Sequence, residues 1–260
     1  MRRFVLAALV ILLPAQVFAA IKTQTVEYKD GDVTCKGYLA YDDAVQGARP
    51  GVLVVPEWWG LTDYAKHRAE QMAELGYVGF AADMYGDGKV VDNPKDAGAL
   101  AMPLKSDPAK FRARAMAAIE AMKSSAGDKL DTARLAGIGY CFGGSAVLEL
   151  ARGGADLVGV VSFHGGLASP DKAKHDIKPK VLVCHGADDP MVKPEEVTAF
   201  VEEMKADGAN YEVNMYSGAV HAFTNPDADR HKIPGIAYNE QADKRSFEAM
   251  KAFFAEVFKK

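Results

Sequence analysis

In one place along this chain an apolar run passes into the next amphipathic stretch with no room for a loop: RLAGIGYC continues directly into FGGSAVLELAR. Elsewhere short apolar runs alternate with amphipathic stretches. That pattern builds a mostly parallel central sheet with helices on both faces, because parallel neighbours need a crossover and a helix supplies it. Strands are expected in GVLVVPEW, YVGFAADMY, RLAGIGYC, LVGVVSFHG, KVLVCHGA and YEVNMYSG. Besides the helix after Cys141, helices are expected over Thr62 to Leu75, stopped by Gly76, and over Pro108 to Ser125 behind an Asp107 N-cap. Two more are expected over Pro194 to Ala206 and Glu240 to Phe258. Ahead of them, TVEYKDGDVTCKGYLAY turns at Asp30-Gly31-Asp32 and reads as an antiparallel hairpin on one edge. Gly86 to Ser106 reads as one long connection, either a site cover or a surface loop.

The N-terminus predicts a compartment. Arg2 and Arg3 precede the apolar run Phe4 to Leu13, Pro14 breaks it, and Val17-Phe18-Ala19 offers a small-residue cleavage pattern. A bilayer crossing takes roughly 20 apolar residues, so the run is too short to be a comfortable anchor. Residues 1–19 are therefore expected to be a cleaved secretory signal, and residues 20–260 a single α/β domain exported to the periplasm. The whole chain carries 31 basic and 35 acidic residues, a formal charge of −4, and loss of Arg2 and Arg3 makes it two units more negative. No basic patch or polybasic run is present, which argues against nucleic acid and, after signal cleavage, against membrane as partners. A small-molecule substrate and a monomer or small homo-oligomer are expected. Of the cysteines, Cys35 and Cys184 lie in strand-like stretches and a disulfide between them stays open; Cys141 stands apart.

Gly139-Tyr140-Cys141-Phe142-Gly143 has the spacing of a nucleophile elbow with cysteine in the serine slot. A nucleophile on a tight strand-to-helix turn crowds its neighbours two residues away, and glycine relieves the crowding. The helix that follows aims its positive end at the sulfur, favouring thiolate and the charge of an intermediate. A thiol needs a base, and the base an orienting acid. In elbow hydrolases the order is nucleophile, acid, histidine, with the histidine beyond the last strand; His221 in SGAVHAF fits. His164 and His185 fit that order poorly, and His67, His175 and His231 read as surface residues. The acid falls in CHGADDPMV, where spacing does not choose between Asp188 and Asp189. Glu57 ends the apolar strand in VVPEWWG, where a lone carboxylate is costly to bury. Trp58 and Trp59 are candidates for the pocket wall or the core. Neither clustered histidines at ligand spacing nor a Gly-rich dinucleotide fingerprint is present, so no metal or organic cofactor is expected.

Taken together, GYLA, VPEWWG, GYVGFAADMYG, GYCFGG, DDPMV and HAF resemble the dienelactone hydrolase (carboxymethylenebutenolidase) family, of the α/β-hydrolase fold. The resemblance implies a triad of Cys141, Asp189 and His221. It further implies that Glu57 meets the resting thiol and helps release its proton, and that the backbone N–H groups of Trp58 and Phe142 form the oxyanion hole. Family members hold the substrate carboxylate with two arginines, at positions where this chain has Asp87 and Asn225. Arg68, Arg112 and Arg114 are candidate replacements. The expectation is an exported hydrolase of a small ester or lactone, less anionic than dienelactone. A non-catalytic small-molecule binding protein on the same fold is the alternative.

Overall fold

The computed structural model describes residues 21–259, so the expected leader lies outside the described residues. Strands β1 (Ile21–Asp30) and β2 (Val33–Asp42) form the edge hairpin, with Asp30 opposite Val33 and Gly31 at φ 57° in the turn. The positive φ is what a two-residue turn demands, and glycine supplies it without strain. Then follow β3 (Arg49–Val55), α1 (Asp63–Glu74), β4 (Val78–Ala81), α2 (Pro94–Lys105), α3 (Pro108–Ala126), β5 (Leu130–Tyr140) and α4 (Phe142–Arg152). The chain closes with β6 (Gly159–Phe163), β7 (Lys180–Gly186), α5 (Pro194–Asp207), β8 (Tyr211–Tyr216) and α6 (Glu240–Val257).

All eight strands form one sheet in the order β1-β2-β4-β3-β5-β6-β7-β8, parallel from β4 onward. Strand residues alternate between its two faces, as the pleat requires. Leu53 and Val55 pack with α3 and α4 residues such as Phe111 and Val147, while Val52 and Val54 pack with Ala69 of α1 and Phe254 of α6. Helices on both faces therefore bury a sheet whose central strands are mostly apolar along their buried lengths.

Two expectations need correction. The segment 86–106 is not one open connection: α2 occupies its second half, capped by the Asn93 side chain, which accepts from Asp96 N–H. Pro103 and Gly98 inside that helix disguise it in the sequence. The strand read as YVGFAADMY is confined to Val78–Ala81, because the Asp83 carboxylate gathers the N–H groups of Lys36, Tyr85, Gly86 and Gly88 into a tight turn. The sheet order also settles the disulfide. Cys35 on β2 and Cys184 on β7 are five strand spacings apart, about 24 Å, against the roughly 7 Å a bridge allows. All three thiols are free.

Candidate active site

Strand β5 ends at Tyr140 and α4 begins at Phe142, leaving Cys141 alone in the bend at φ 53°, ψ −112°. That is a strained conformation for a residue with a Cβ, and it persists because the surroundings leave no alternative. A Cβ on Gly139 would sit 1.9 Å from Gly143 O, and one on Gly143 would sit 2.1 Å from Val55 O. Both glycines are thus required by backbone contact.

His221 lies in the loop after β8. Its Nε2 is 3.0 Å from Cys141 Sγ, and its Nδ1 is 2.8 Å from Asp189 Oδ2. The other Asp189 oxygen accepts from the N–H groups of Met191 and Val192, which lock the carboxylate in place. Asp188 instead accepts from Gly218 N–H on the protein surface, so the geometry selects Asp189 as the partner of His221. Burial alone would push the His221 imidazole down, but the Cys141 sulfur and the Asp189 carboxylate outweigh it and raise it to about 10.

Glu57, just beyond β3, is buried, within electrostatic reach of His221. Its Oε2 accepts from Asn225 Nδ2 at 2.7 Å, and it is His221 that meets the sulfur. Asn225 is neutral where the family pattern has an arginine, so it offsets little of the burial cost. Burial pushes the Glu57 carboxyl up to about 7, against the lowering effects of the Asn225 hydrogen bond and the His221 and Arg68 charges. A carboxyl raised this way favours folding while protonated. Its contribution is complete below pH 4.5, is lost as pH rises through about 7, and amounts to roughly 3 kcal/mol. Glu57→Gln is therefore expected to match the wild type in denaturant unfolding at acidic pH and to exceed it by that amount in mild alkali. Equal stabilities across the range would show that Glu57 ionises freely.

His164, at the end of β6, is a site residue that sequence order misses. Cys141 N–H is shared between Phe163 O at 3.0 Å and His164 Nδ1 at 3.1 Å. Burial, then the charges of His221 and Arg68, hold His164 well below the usual histidine range, so the ring is neutral. With Nδ1 accepting, Nε2 carries the proton and donates to Thr224 Oγ1 at 2.7 Å, which also contacts Tyr64 Oη at 2.6 Å. This buried chain pins the bend from below. Tyr85 does the same for the opposite wall, donating to Trp58 O at 2.8 Å.

Trp58, Phe142, Cys141 and His221 line a cleft of about 230 Å³, with Ala101 and Met102 of α2, Met191, Val192 and Ile236. Larger hollows of about 350 and 420 Å³ lie elsewhere, but neither contains Cys141. Helix α2 thus forms a wall of the cleft. The three arginines considered as replacements are all committed: Arg68 to Asp243 and Thr224 O, Arg112 to Glu149 and Asp171, Arg114 to Asp30 and Met84 O. Lys105 is the one lysine or arginine among the described residues lining the cleft. His175, expected on the surface, is buried.

The chain as a whole has counterparts among known proteins. The family model of the dienelactone hydrolase family matches residues 35–258. The chain belongs to the dienelactone hydrolase family. Like its relatives, this member is a hydrolase with the α/β-hydrolase fold. It is 30% identical over 208 residues to protein usf of Aquifex pyrophilus, covering 78% of this chain and 87% of that protein. Among solved structures, a dienelactone hydrolase-like promiscuous phosphotriesterase from metagenomic libraries superposes with a TM-score of 0.88 at 43% identity, covering 92% of this chain and 100% of the other. An acylaminoacyl peptidase of Pyrococcus horikoshii shares the fold alone, with a TM-score of 0.69 at 13% identity over 94% of this chain and 43% of the peptidase.

Proposed function

We propose that this family member hydrolyses small, uncharged esters or lactones through a covalent intermediate on Cys141. The observation that carries the reading is the continuous line Sγ–Nε2 at 3.0 Å and Nδ1–Oδ2 at 2.8 Å, opening into an apolar cleft. The sulfur attacks the carbonyl carbon. The N–H groups of Trp58 and Phe142 receive the oxyanion, each worth about 2.7–4 kcal/mol in such sites. His221 passes its proton to the leaving oxygen, then takes one from the water that attacks the thioester, and the sulfur departs. Asp189 keeps the ring in the tautomer that faces the sulfur.

The substrate class follows from the cleft. Its wall is mostly apolar, Asn225 is spent on Glu57, and Asp87 does not line it. A panel of para-nitrophenyl acetate, neutral lactones and dienelactone tests this: neutral substrates are expected to have the higher kcat/KM. Faster turnover of dienelactone would overturn the uncharged class and turn attention to Lys105. Export is part of the same proposal and rests on the leader motif; an N-terminus at residue 20 or 21 in the periplasmic protein is the expected result, and an intact leader on cytoplasmic protein the contrary one.

A further inference from the structure

Helix α5 carries Glu203 and Asp207 one turn apart, and side chains four residues apart share a helix face. His175, on the irregular connection between β6 and β7, approaches that face. One potential ligand atom from each of the three lies within 4.8 Å of the others. None of the three lines the catalytic cleft.

Two features make the cluster unusual for a simple polar contact. His175 is only 7% exposed, yet among the described residues its ring makes no hydrogen bond; Asp171 is an electrostatic neighbour without bonding to it. Asp207 Oδ2 is likewise buried and has no hydrogen-bond partner. Asp207 as a whole is half-buried, but leaving its buried oxygen unpaired is costly, and the imidazole beside it would ordinarily be its partner. Here they stand near each other without bonding, as groups do when a third body belongs between them. Asp207 is also the last residue of α5, where its charge opposes the negative end of the helix dipole. A cation removes both penalties.

The third ligand is already oriented. Arg152 donates through Nε and Nη2 to Oε1 and Oε2 of Glu203, at 2.6 and 2.8 Å. Each carboxylate oxygen keeps a further lone pair, so the arginine aims Glu203 without exhausting it. A hollow of about 420 Å³ bordered by Glu203 and Asp207 gives an ion a path in and room for water.

The geometry points to a binding site for a zinc-type divalent ion, with one imidazole nitrogen and two carboxylate oxygens as ligands and water completing four-fold coordination. That donor set is common for zinc, and atoms on one tetrahedral zinc ion lie roughly 3.4 Å apart, so modest side-chain rotation closes the shell. The ion would tie the connection carrying His175 to α5. The same connection, which follows Phe163 at the end of β6, includes Gly166, and Gly166 lines the cleft. Its role is therefore structural support of a cleft wall.

The test uses the full chain with Cys141→Ser, so that the cleft thiol does not compete for metal. Protein freed of metal by chelation is titrated with Zn²⁺ alone by calorimetry, and thermal unfolding is followed with and without the ion. One ion per chain and a higher unfolding midpoint are expected. Adding His175→Ala or the near-isosteric Asp207→Asn should weaken binding by about 100-fold or more. Circular dichroism on Asp207→Asn confirms that the loss does not come from misfolding. No stoichiometric zinc, or unchanged affinity in both variants, would overturn the site.

Discussion

Cys141→Ala is expected to lower kcat/KM for para-nitrophenyl acetate by about 10,000-fold or more, with folding unchanged. Alanine keeps the Cβ that the bend already tolerates at φ 53°, so the strain of the turn is the same in both proteins. What disappears is the atom 3.0 Å from His221 Nε2. Ser145 also lines the cleft, but its hydroxyl donates to Gly166 O at 2.9 Å and does not substitute for the sulfur. Asp189→Asn is expected to cost about as much, by a different route. An amide group in place of Oδ2 donates to Nδ1, which moves the ring proton onto Nε2 and turns a hydrogen against the sulfur. Substantial turnover by Cys141→Ala would remove the thiol from the mechanism, whereas loss in Cys141→Ala alone would demote Asp189 to a structural residue.

The second large effect is on stability. Gly143→Ala is expected to destabilise the fold by about 3 kcal/mol or more, because overpacking against backbone has no cheap relief. The new Cβ would lie 2.1 Å from Val55 O and 2.6 Å from Pro56 O, both in the segment that delivers Glu57 and Trp58. Any relaxation therefore moves the two walls of the cleft apart. Gly98→Ala is the matched control. Nothing lies within 4 Å of its Cβ, and it sits inside α2, where alanine is favoured over glycine by roughly 0.5–1 kcal/mol. Denaturant midpoints should move in opposite directions for the two variants. A Gly143→Ala protein as stable as wild type would mean that the elbow is not packed as described.

Much of this was legible because the fold and the elbow are written locally. The run RLAGIGYCFGGSAVLELAR contains its own strand, bend and helix, and glycine spacing marks the bend. His221 follows from chain order. What the sequence hides is long-range. Helix α2 carries a visible start, Asn93-Pro94, but its internal Pro103 argues against a helix, and burial of Ala97, Ala101 and Leu104 against the rest of the fold opposes that penalty. His164 follows a strand like His185 does, and nothing local says that one accepts from Cys141 N–H. Glu57 was recognisable as a costly carboxylate, whereas its partner Asn225 comes from 168 residues away. Likewise His175 and Glu203 lie too far apart in sequence for their meeting to be read from spacing.

Covalent trapping tests the central claim most directly. His221→Ala protein, which lacks the group that activates water, is mixed with para-nitrophenyl acetate and analysed by intact mass and peptide mapping. One acetyl group per chain, carried by the peptide containing Cys141, is the predicted result. Release of nitrophenol by the wild type with no acyl adduct on Cys141 in the variant, or with the adduct on another side chain, would contradict it.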